Sequence, residues 1–191
     1  GTKMQSEIEG IYNKIENLLI KLIPENWKSI YLYASVLKNR RGEMYFYYFP
    51  KKIIKTNPVN CYQVPDKFGI DERSYNESLA MLYGMIQDLQ ILMLPRWTNI
   101  TISIEKDVFT IEYHYNNIEQ SRYSDEERRI VWGAKYLGIP KESMNLKEKS
   151  LVETYNERSR IKPTIYSERI IINKDDIIAK NQEVKNQILK Y

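Results

Sequence analysis

The strongest constraint on the fold is a stretch from Trp27 to Pro50, in which side-chain character alternates with a period of two. That period is typical of β-strands, because successive side chains of a strand point to opposite faces of the sheet. The polar turn Asn39–Gly42 interrupts the alternation, so the stretch predicts an antiparallel hairpin. One of its faces is aliphatic and suits a core, whereas the other is rich in tyrosines, whose apolar rings carry hydrogen-bonding hydroxyls.

A second hairpin is predicted between Trp97 and Tyr115, where the same alternation flanks the turn Glu105–Asp107. Elsewhere, apolar residues recur every three or four positions, which is the spacing of one buried helix face. The helices predicted from this spacing are Ser6–Ile23, Glu72–Leu94, Asp125–Leu137, Leu146–Tyr155 and Asp175–Leu189. Shorter segments are predicted as strands at Cys61–Val64 and Ile165–Ile172 and as a linker at Arg158–Pro163.

Local signals mark the ends of some helices. Ser124 and Glu127 have the spacing of a capping box, in which each side chain accepts a hydrogen bond from the other residue's backbone N–H. Ser6 and Glu9 have the same spacing and predict the start of the first helix. Gly138 follows the third long helix, where a left-handed residue commonly ends a helix.

These elements predict an α+β fold, in which an antiparallel β-sheet built from hairpins packs against several α-helices. A chain of 191 residues has the length of one domain, or of one domain with an appendage. We expect residues 1–140 to form the α+β core. Residues 141–191 are expected to form a C-terminal extension of helix and strand that packs on the same domain.

The sequence offers no recognisable catalytic or ligand-binding motif. It contains no glycine-rich phosphate loop and no His/Cys cluster with zinc spacing. We therefore expect no cofactor, no metal site and no enzymatic activity. The alternative is an enzyme that uses His114, the single histidine, as a general base, although no recognisable nucleophile or metal-ligand spacing accompanies it.

Cysteine usage and hydropathy bear on the compartment. Cys61 is the single cysteine, so the chain has no intramolecular disulfide, which suits the reducing cytosol. No stretch reaches the ~18 apolar residues that a membrane span requires. We expect a cytoplasmic protein that does not insert into membranes, and we interpret Cys61 as a buried or incidental thiol.

The charge distribution bears on nucleic-acid binding. The chain has 29 basic and 25 acidic residues, a net charge of +4, without the concentrated basic patch that is typical of nucleic-acid binders. Residues 141–191 carry 11 of these basic and 8 of these acidic residues, or +3, which leaves a small nucleic-acid-binding module as an alternative function. The short basic clusters Arg40–Arg41 and Lys51–Lys52 with Lys55 are interpreted as solvated loops.

Three blocks of the chain occur in an order that is more informative than any one of them alone. They read IYNKIENLLIKLIPENWKSIYLYASVLKNRRGEMYFYY, WTNITISIEKDVFTIEYHY and SDEERRIVWGAKYLGIP. In this order they resemble the YezG/EsaG-like immunity proteins of Gram-positive bacteria, over roughly Ile8 to Pro140. The most specific stretch is Glu127–Trp132 leading into Lys135–Gly138, and the region beyond about Tyr155 matches weakly.

The resemblance implies a cytoplasmic antitoxin. Such proteins bind the C-terminal nuclease domain of a toxin exported by the type VII secretion system and inhibit it stoichiometrically, without catalysis. Inhibitors of nucleases are commonly acidic, because they meet a basic nucleic-acid cleft and gain association rate from that charge. Because this chain is mildly basic, its toxin is unusual, or a local acidic patch makes the contact, or the chain is an orphan paralogue that inhibits no nuclease.

An immunity protein needs an exposed surface that binds its partner, and tyrosine is enriched at the centres of such interfaces. The candidate surface is the tyrosine-rich face of the first hairpin, extended by a tryptophan of the third block. Its residues are Tyr31, Tyr33, Tyr45, Tyr47 and Trp132. The alternative is that these aromatic rings lie under helices as ordinary core residues.

Overall fold

The computed structural model describes residues 2–38, 42–161 and 167–173. Its centre is a six-stranded sheet, which together with the helices confirms the predicted α+β class. The strands are β1 (Trp27–Ser35), β2 (Met44–Pro50), β3 (Val59–Asn60), β4 (Asn99–Glu105), β5 (Val108–His114) and β6 (Ser167–Asn173). They lie in the order β3-β2-β1-β4-β5-β6, so both predicted hairpins are confirmed and lie side by side.

The helices are α1 (Thr2–Lys21), α2 (Val64–Phe68), α3 (Glu72–Ile91), α4 (Asp125–Tyr136) and α5 (Leu146–Ile161). None of those within the described ranges is long and apolar enough to cross a membrane. The predicted start of α1 is wrong, because Ser6 lies inside the helix. Good helix formers precede it, and a Ser-x-x-Glu pattern also suits the interior of a helix, where residues three apart share a face.

The predicted ends of α4 are confirmed. The Ser124 hydroxyl oxygen accepts from the Glu127 N–H at 3.1 Å, and a Glu127 carboxylate oxygen accepts from the Ser124 N–H at 3.0 Å. Gly138 has a φ of +63°, a left-handed conformation that glycine adopts without a steric penalty. Local sequence signals were therefore sufficient to place this helix.

The register of the hairpins places one side chain in two on the apolar face of the sheet. In β1 and β2, Leu32 lies opposite Phe46, and in β4 and β5, Ile102 lies opposite Ile111. Because Leu32 also pairs with Ile102, these four side chains form one continuous row, and all are fully buried. Parallel rows above and below it complete the core, with the members Ile30, Ala34, Met44, Tyr48, Ile100, Ile104, Phe109 and Tyr113.

Two long helices, α1 and α3, cover this apolar face. Tyr12 of α1 contacts Phe109 with ring centroids 5.8 Å apart, and its hydroxyl forms a hydrogen bond with that of Tyr113. On α3, the Tyr75 hydroxyl donates to the Leu22 carbonyl at 2.8 Å and thereby ties α3 to the C-terminal end of α1. The helices thus fix each other as well as the sheet.

Several predicted boundaries differ from the structure. The short strand lies at Val59–Asn60 and so begins two residues earlier than predicted, and Cys61–Gln63 forms a 3-10 helix instead. The predicted linker at Arg158–Pro163 is wrong for its first four residues, because α5 continues to Ile161. Residues 39–41 of the predicted turn Asn39–Gly42 and the predicted last helix at 175–189 lie outside the described residues.

The chain divides into two compact units. The first comprises the described residues up to His114 together with Glu168–Asn173, and contains α1, α2, α3 and the sheet. The second is Tyr115–Ser167, in which α4 and α5 pack together and the Tyr123 and Tyr155 rings meet edge to face at 5.4 Å. The predicted division into a core of 1–140 and an extension of 141–191 stays a prediction, because compactness does not test which part folds by itself.

Candidate partner-binding surface

The hairpin tyrosines lie on the face of the sheet opposite α1 and α3. The register sets Tyr31 across from Tyr47 and Tyr33 across from Tyr45. These residues alternate with the core rows of β1 and β2, so the period of two places all four rings on the same face. The first hairpin therefore brings these four predicted site residues together.

The rings of this cluster are in mutual contact. Tyr33 and Tyr45 stack with centroids 5.2 Å apart and planes 23° apart. Tyr45 meets Tyr47 edge to face at 6.2 Å, and Tyr31 meets Phe49 edge to face at 6.1 Å. Stacked and edge-to-face pairs are the favoured aromatic geometries, so each ring has a defined orientation.

Hydroxyl contacts hold the two outer tyrosines in place. The Tyr31 hydroxyl donates to a carboxylate oxygen of Glu105, at the end of β4. The Tyr47 hydroxyl accepts from the side-chain amide of Asn60 at 3.0 Å. Both rings are therefore oriented by neighbouring strands before any partner arrives, which lowers the entropy cost of binding.

Burial differs within the cluster. Tyr33 and Tyr45 are buried, with exposed fractions of 7% and 2%, whereas Tyr31 and Tyr47 are half-buried. Tyr33 and Tyr45 thus fit the interpretation as ordinary buried residues, and only Tyr31 and Tyr47 fit an accessible surface. Sequence period determines which face a ring occupies, but it does not determine how far that face is covered.

Trp132 lies on α4 in the second unit and is also buried. Its ring packs against Tyr136, one helical turn later, with centroids 5.4 Å apart. Spacing of four residues on a helix accounts for this contact. Its role in partner binding stays a prediction, and its burial means that a partner must uncover the ring to reach it.

His114 ends β5 with its side chain beside a carboxylate. Its Nε2 lies 3.5 Å from a Glu112 carboxylate oxygen, and both side chains are 18% exposed. The two residues share a face because they are two apart on one strand. Among the described residues there is no group of three or more His, Cys, Asp or Glu that could hold a metal ion.

The C-terminal charge excess does not form a uniform basic face over the described residues 141–161. Lys141 pairs with Glu153 at 3.5 Å, and Arg160 lies within 2.5 Å of Glu157. Carboxylates thus accompany basic side chains both on α5 and on the 3-10 helix Lys141–Ser143 that precedes it. Phosphate recognition draws on clustered Lys and Arg, so this arrangement gives little support to the nucleic-acid alternative.

Comparison with known proteins identifies the family. The chain is 29% identical over 135 residues to the Immunity protein YezG of Bacillus spizizenii, covering 68% of this chain and 81% of that protein. It is 25% identical over 146 residues to the Immunity protein YezG of Bacillus subtilis, covering 74% and 95%. The family model described as "Immunity protein YezG-like" matches residues 8–151. The chain belongs to this family.

A more distant relative is named as a type VII secretion system protein. This chain is 21% identical over 158 residues to the Type VII secretion system protein EsaG of Staphylococcus aureus, covering 79% of this chain and 94% of that protein. The family match runs from α1 into α5, so it includes all three blocks that carried the resemblance. The predicted membership is confirmed.

Sequence analysis missed one exposed feature of the YezG-like region. The loop after β2, Lys51–Lys55, was interpreted as solvated because of its lysines. The structure shows that its two isoleucines, Ile53 and Ile54, are exposed to solvent as well. An aliphatic pair inside a lysine-rich loop was the available signal, because solvated loops rarely need adjacent β-branched apolar residues.

Proposed function

We propose that this YezG-like chain is an antitoxin, which binds a cognate secreted toxin and inhibits it in a stoichiometric complex without catalysis. The observation that carries the proposal is the family match over residues 8–151. The names of the relatives, an immunity protein and a type VII secretion system protein, support a toxin of that secretion route. The proposed toxin domain is a nuclease, and the proposed site of inhibition is the cytoplasm of the producing cell.

The geometry of the first hairpin supports a binding function. An inhibitor that acts by contact benefits from a surface that is ordered before the partner arrives. Tyr31 and Tyr47 are half-buried, fixed by hydrogen bonds to neighbouring strands and supported by other rings. Such aromatic side chains with a polar tip are frequent binding hot spots. We therefore propose Tyr31 and Tyr47 as toxin contacts.

Co-expression with the toxin encoded beside the gene of this chain tests the proposal. The wild-type chain is expected to restore growth and to co-elute with the toxin as one complex in gel filtration. A toxin that kills in the presence of the folded chain, with no complex, would refute it. A His114→Ala variant is expected to protect cells against the toxin as fully as the wild type, because in the proposed mechanism this chain makes and breaks no covalent bond.

The tyrosine contacts require a separate comparison. The Tyr31→Ala/Tyr47→Ala double variant is expected to weaken the complex by about 30-fold or more, as expected for interface hot spots. Met81→Ala is the control, since Met81 is an exposed side chain on α3, on the other side of the sheet. Equal affinities of the double variant and the control variant would remove these tyrosines from the interface.

A further inference from the structure

The loop Lys51–Lys55 presents an unusual combination of exposed side chains. The solvent-accessible areas of Ile53 and Ile54 are 106% and 77% of the reference value for a fully exposed isoleucine. They are the only neighbours in sequence among the exposed large hydrophobic side chains of the described chain. Lys51, Lys52 and Lys55 flank them and are exposed as well. Exposed apolar groups rimmed by polar ones are characteristic of interaction sites.

The base of this loop is held by hydrogen bonds. The Lys51 N–H donates to the Asn26 carbonyl at 2.9 Å, and the Thr56 hydroxyl donates to the Pro50 carbonyl at 3.4 Å. One bond ties Lys51 to the residue before β1, and the other ties Thr56 to the last residue of β2, so the isoleucines project from a fixed base. Fixing a loop before binding reduces the entropy that binding must overcome.

The charge of the loop constrains its partner. Three lysines and one neighbouring carboxylate, Glu25 at 4.0 Å from the Lys52 Nζ, leave a local excess of positive charge. A second copy of the same loop would bring lysines against lysines, which is repulsive. The complementary surface is one in which carboxylates surround an apolar pocket.

A membrane surface is the competing partner of this loop, and the size of the expected binding energy argues against it. The two isoleucine side chains carry fewer carbon atoms than a myristoyl chain, and a single myristoyl chain gives only marginal membrane binding. Three lysines add about 1 kcal/mol each at an anionic membrane surface, which leaves the association weak. A protein pocket that encloses both side chains removes more apolar surface from water and excludes water from the rim.

We infer that the loop Lys51–Lys55 anchors the toxin, with Ile53 and Ile54 inserted into an apolar pocket and the lysines against carboxylates at its rim. The inference rests on the proposed antitoxin function. It assigns the contact to an acidic surface of the partner, and a basic nucleic-acid cleft does not offer such a surface. The anchored surface of the toxin is therefore distinct from a cleft that binds nucleic acid.

Two variants of the full-length chain test the inference against the toxin encoded beside its gene. Ile53→Ser/Ile54→Ser is expected to raise the Kd by about 30-fold or more, because it removes both apolar anchors. Lys51→Glu/Lys55→Glu is expected to slow association about tenfold at low salt, with a smaller effect at high salt because ions screen the charges. Both pairs are exposed, so the fold is expected to persist.

Matched controls make the comparison specific. Leu94→Ser removes another exposed apolar side chain, 85% exposed, from the same compact unit. Lys3→Glu/Lys14→Glu reverses two exposed lysines on α1. Each control is expected to bind the toxin within about twofold of the wild type, since surface changes outside an interface have small effects.

The outcomes separate the inference from the proposed function. A wild-type chain that fails to bind this toxin refutes the antitoxin function and the inference with it. A wild-type chain that binds, together with loop variants that bind equally well, refutes only the inference. A membrane role is tested by sedimentation of the chain with phosphatidylglycerol vesicles and with phosphatidylcholine vesicles. If the chain sediments only with phosphatidylglycerol vesicles, and does so only when Ile53 and Ile54 are present, the loop binds a membrane and the inference is overturned.

Discussion

Cys61 is a fully buried thiol beside the outer edge of β2. Burial raises its pKa to about 12, although a hydrogen bond from the Phe46 N–H acts in the opposite direction. The thiolate is the reactive form of cysteine, so the folded chain is expected to resist modification. We predict no labelling by Ellman's reagent at pH 8 and rapid labelling in guanidinium chloride. Rapid labelling of the native chain would contradict this burial.

The same pKa predicts how stability depends on pH. In the unfolded chain a cysteine loses its proton above about pH 8.5, whereas the native thiol keeps it until about pH 12. Between these values the unfolded state binds fewer protons, so the free energy of unfolding falls as pH rises, by up to about 1.4 kcal/mol per pH unit. Urea unfolding from pH 8 to 9.5 measures this slope, and Cys61→Ala is expected to flatten it.

Two glycines provide a matched pair of backbone tests. A Cβ at Gly42 would overlap with the Ser35 carbonyl oxygen and with the Tyr83 hydroxyl, which donates to that same oxygen at 2.7 Å. Gly42→Ala is therefore expected to lower the free energy of unfolding by about 2 kcal/mol. Gly84→Ala lies in α3 with open space around the new methyl and is expected to raise it by about 0.5–1 kcal/mol.

Thermal and urea unfolding of both glycine variants measures these changes. An unchanged stability for Gly42→Ala would mean that the segment before β2 moves away from Ser35 of β1 and Tyr83 of α3 at little cost.

At the residue scale, sequence predicted the face of each hairpin side chain but not its exposure. Tyr33 and Tyr31 share one face of β1, yet only Tyr31 is half-exposed, because exposure depends on atoms far away in sequence.

At the scale of elements, the outer edge of β2 is closed by side chains as well as by a strand. The two residues of β3 pair only with Tyr47 and Tyr48. Further along β2, the Tyr62 hydroxyl donates to the Met44 carbonyl at 2.6 Å, and the Phe46 N–H donates to the Cys61 sulfur at 3.5 Å. The 3-10 helix Cys61–Gln63 thus occupies backbone groups that another chain would otherwise pair with.

Opening this edge is expected to promote association between copies of the chain. Cys61→Ala/Tyr62→Phe removes both side-chain partners and leaves a stretch of β2 backbone available for strand pairing. We predict faster aggregation on mild heating, followed by light scattering, with Tyr62→Phe alone intermediate. Tyr83→Phe is the control, because it removes a tyrosine hydrogen bond to Ser35 of β1, which is an inner strand of the sheet. Equal aggregation of the double variant and this control would refute edge protection.

Elements were predictable where the pattern is local. Both hairpins and α4 were found because the period of two, the turn residues and the Ser124–Glu127 capping box are all short-range. The strand at Val59–Asn60 was misplaced, since two residues become a strand only through pairing with Tyr47 and Tyr48. The exposed isoleucines of the loop at Lys51–Lys55 were likewise not predicted, because their exposure is a property of the folded chain.

At the scale of the whole molecule, the family match and the sheet do not have the same extent. The match ends at residue 151, whereas the sheet includes β6 at Ser167–Asn173, beside β5. The hairpin tyrosines and the loop Lys51–Lys55 both lie inside the match. The proposed contacts therefore belong to the part of the chain that the family match covers, and β6 lies outside that part, at the far side of the sheet.

Removal of residues 162–191 separates these two roles. The truncated chain is expected to keep toxin binding within about threefold, because the proposed contacts lie on β1, β2 and the loop after β2. It is also expected to aggregate more readily, since loss of β6 leaves the outer edge of β5 unpaired. Gel filtration with the toxin and light scattering measure the two effects. Loss of toxin binding by a truncated chain with native circular dichroism would place essential contacts in the C-terminal segment.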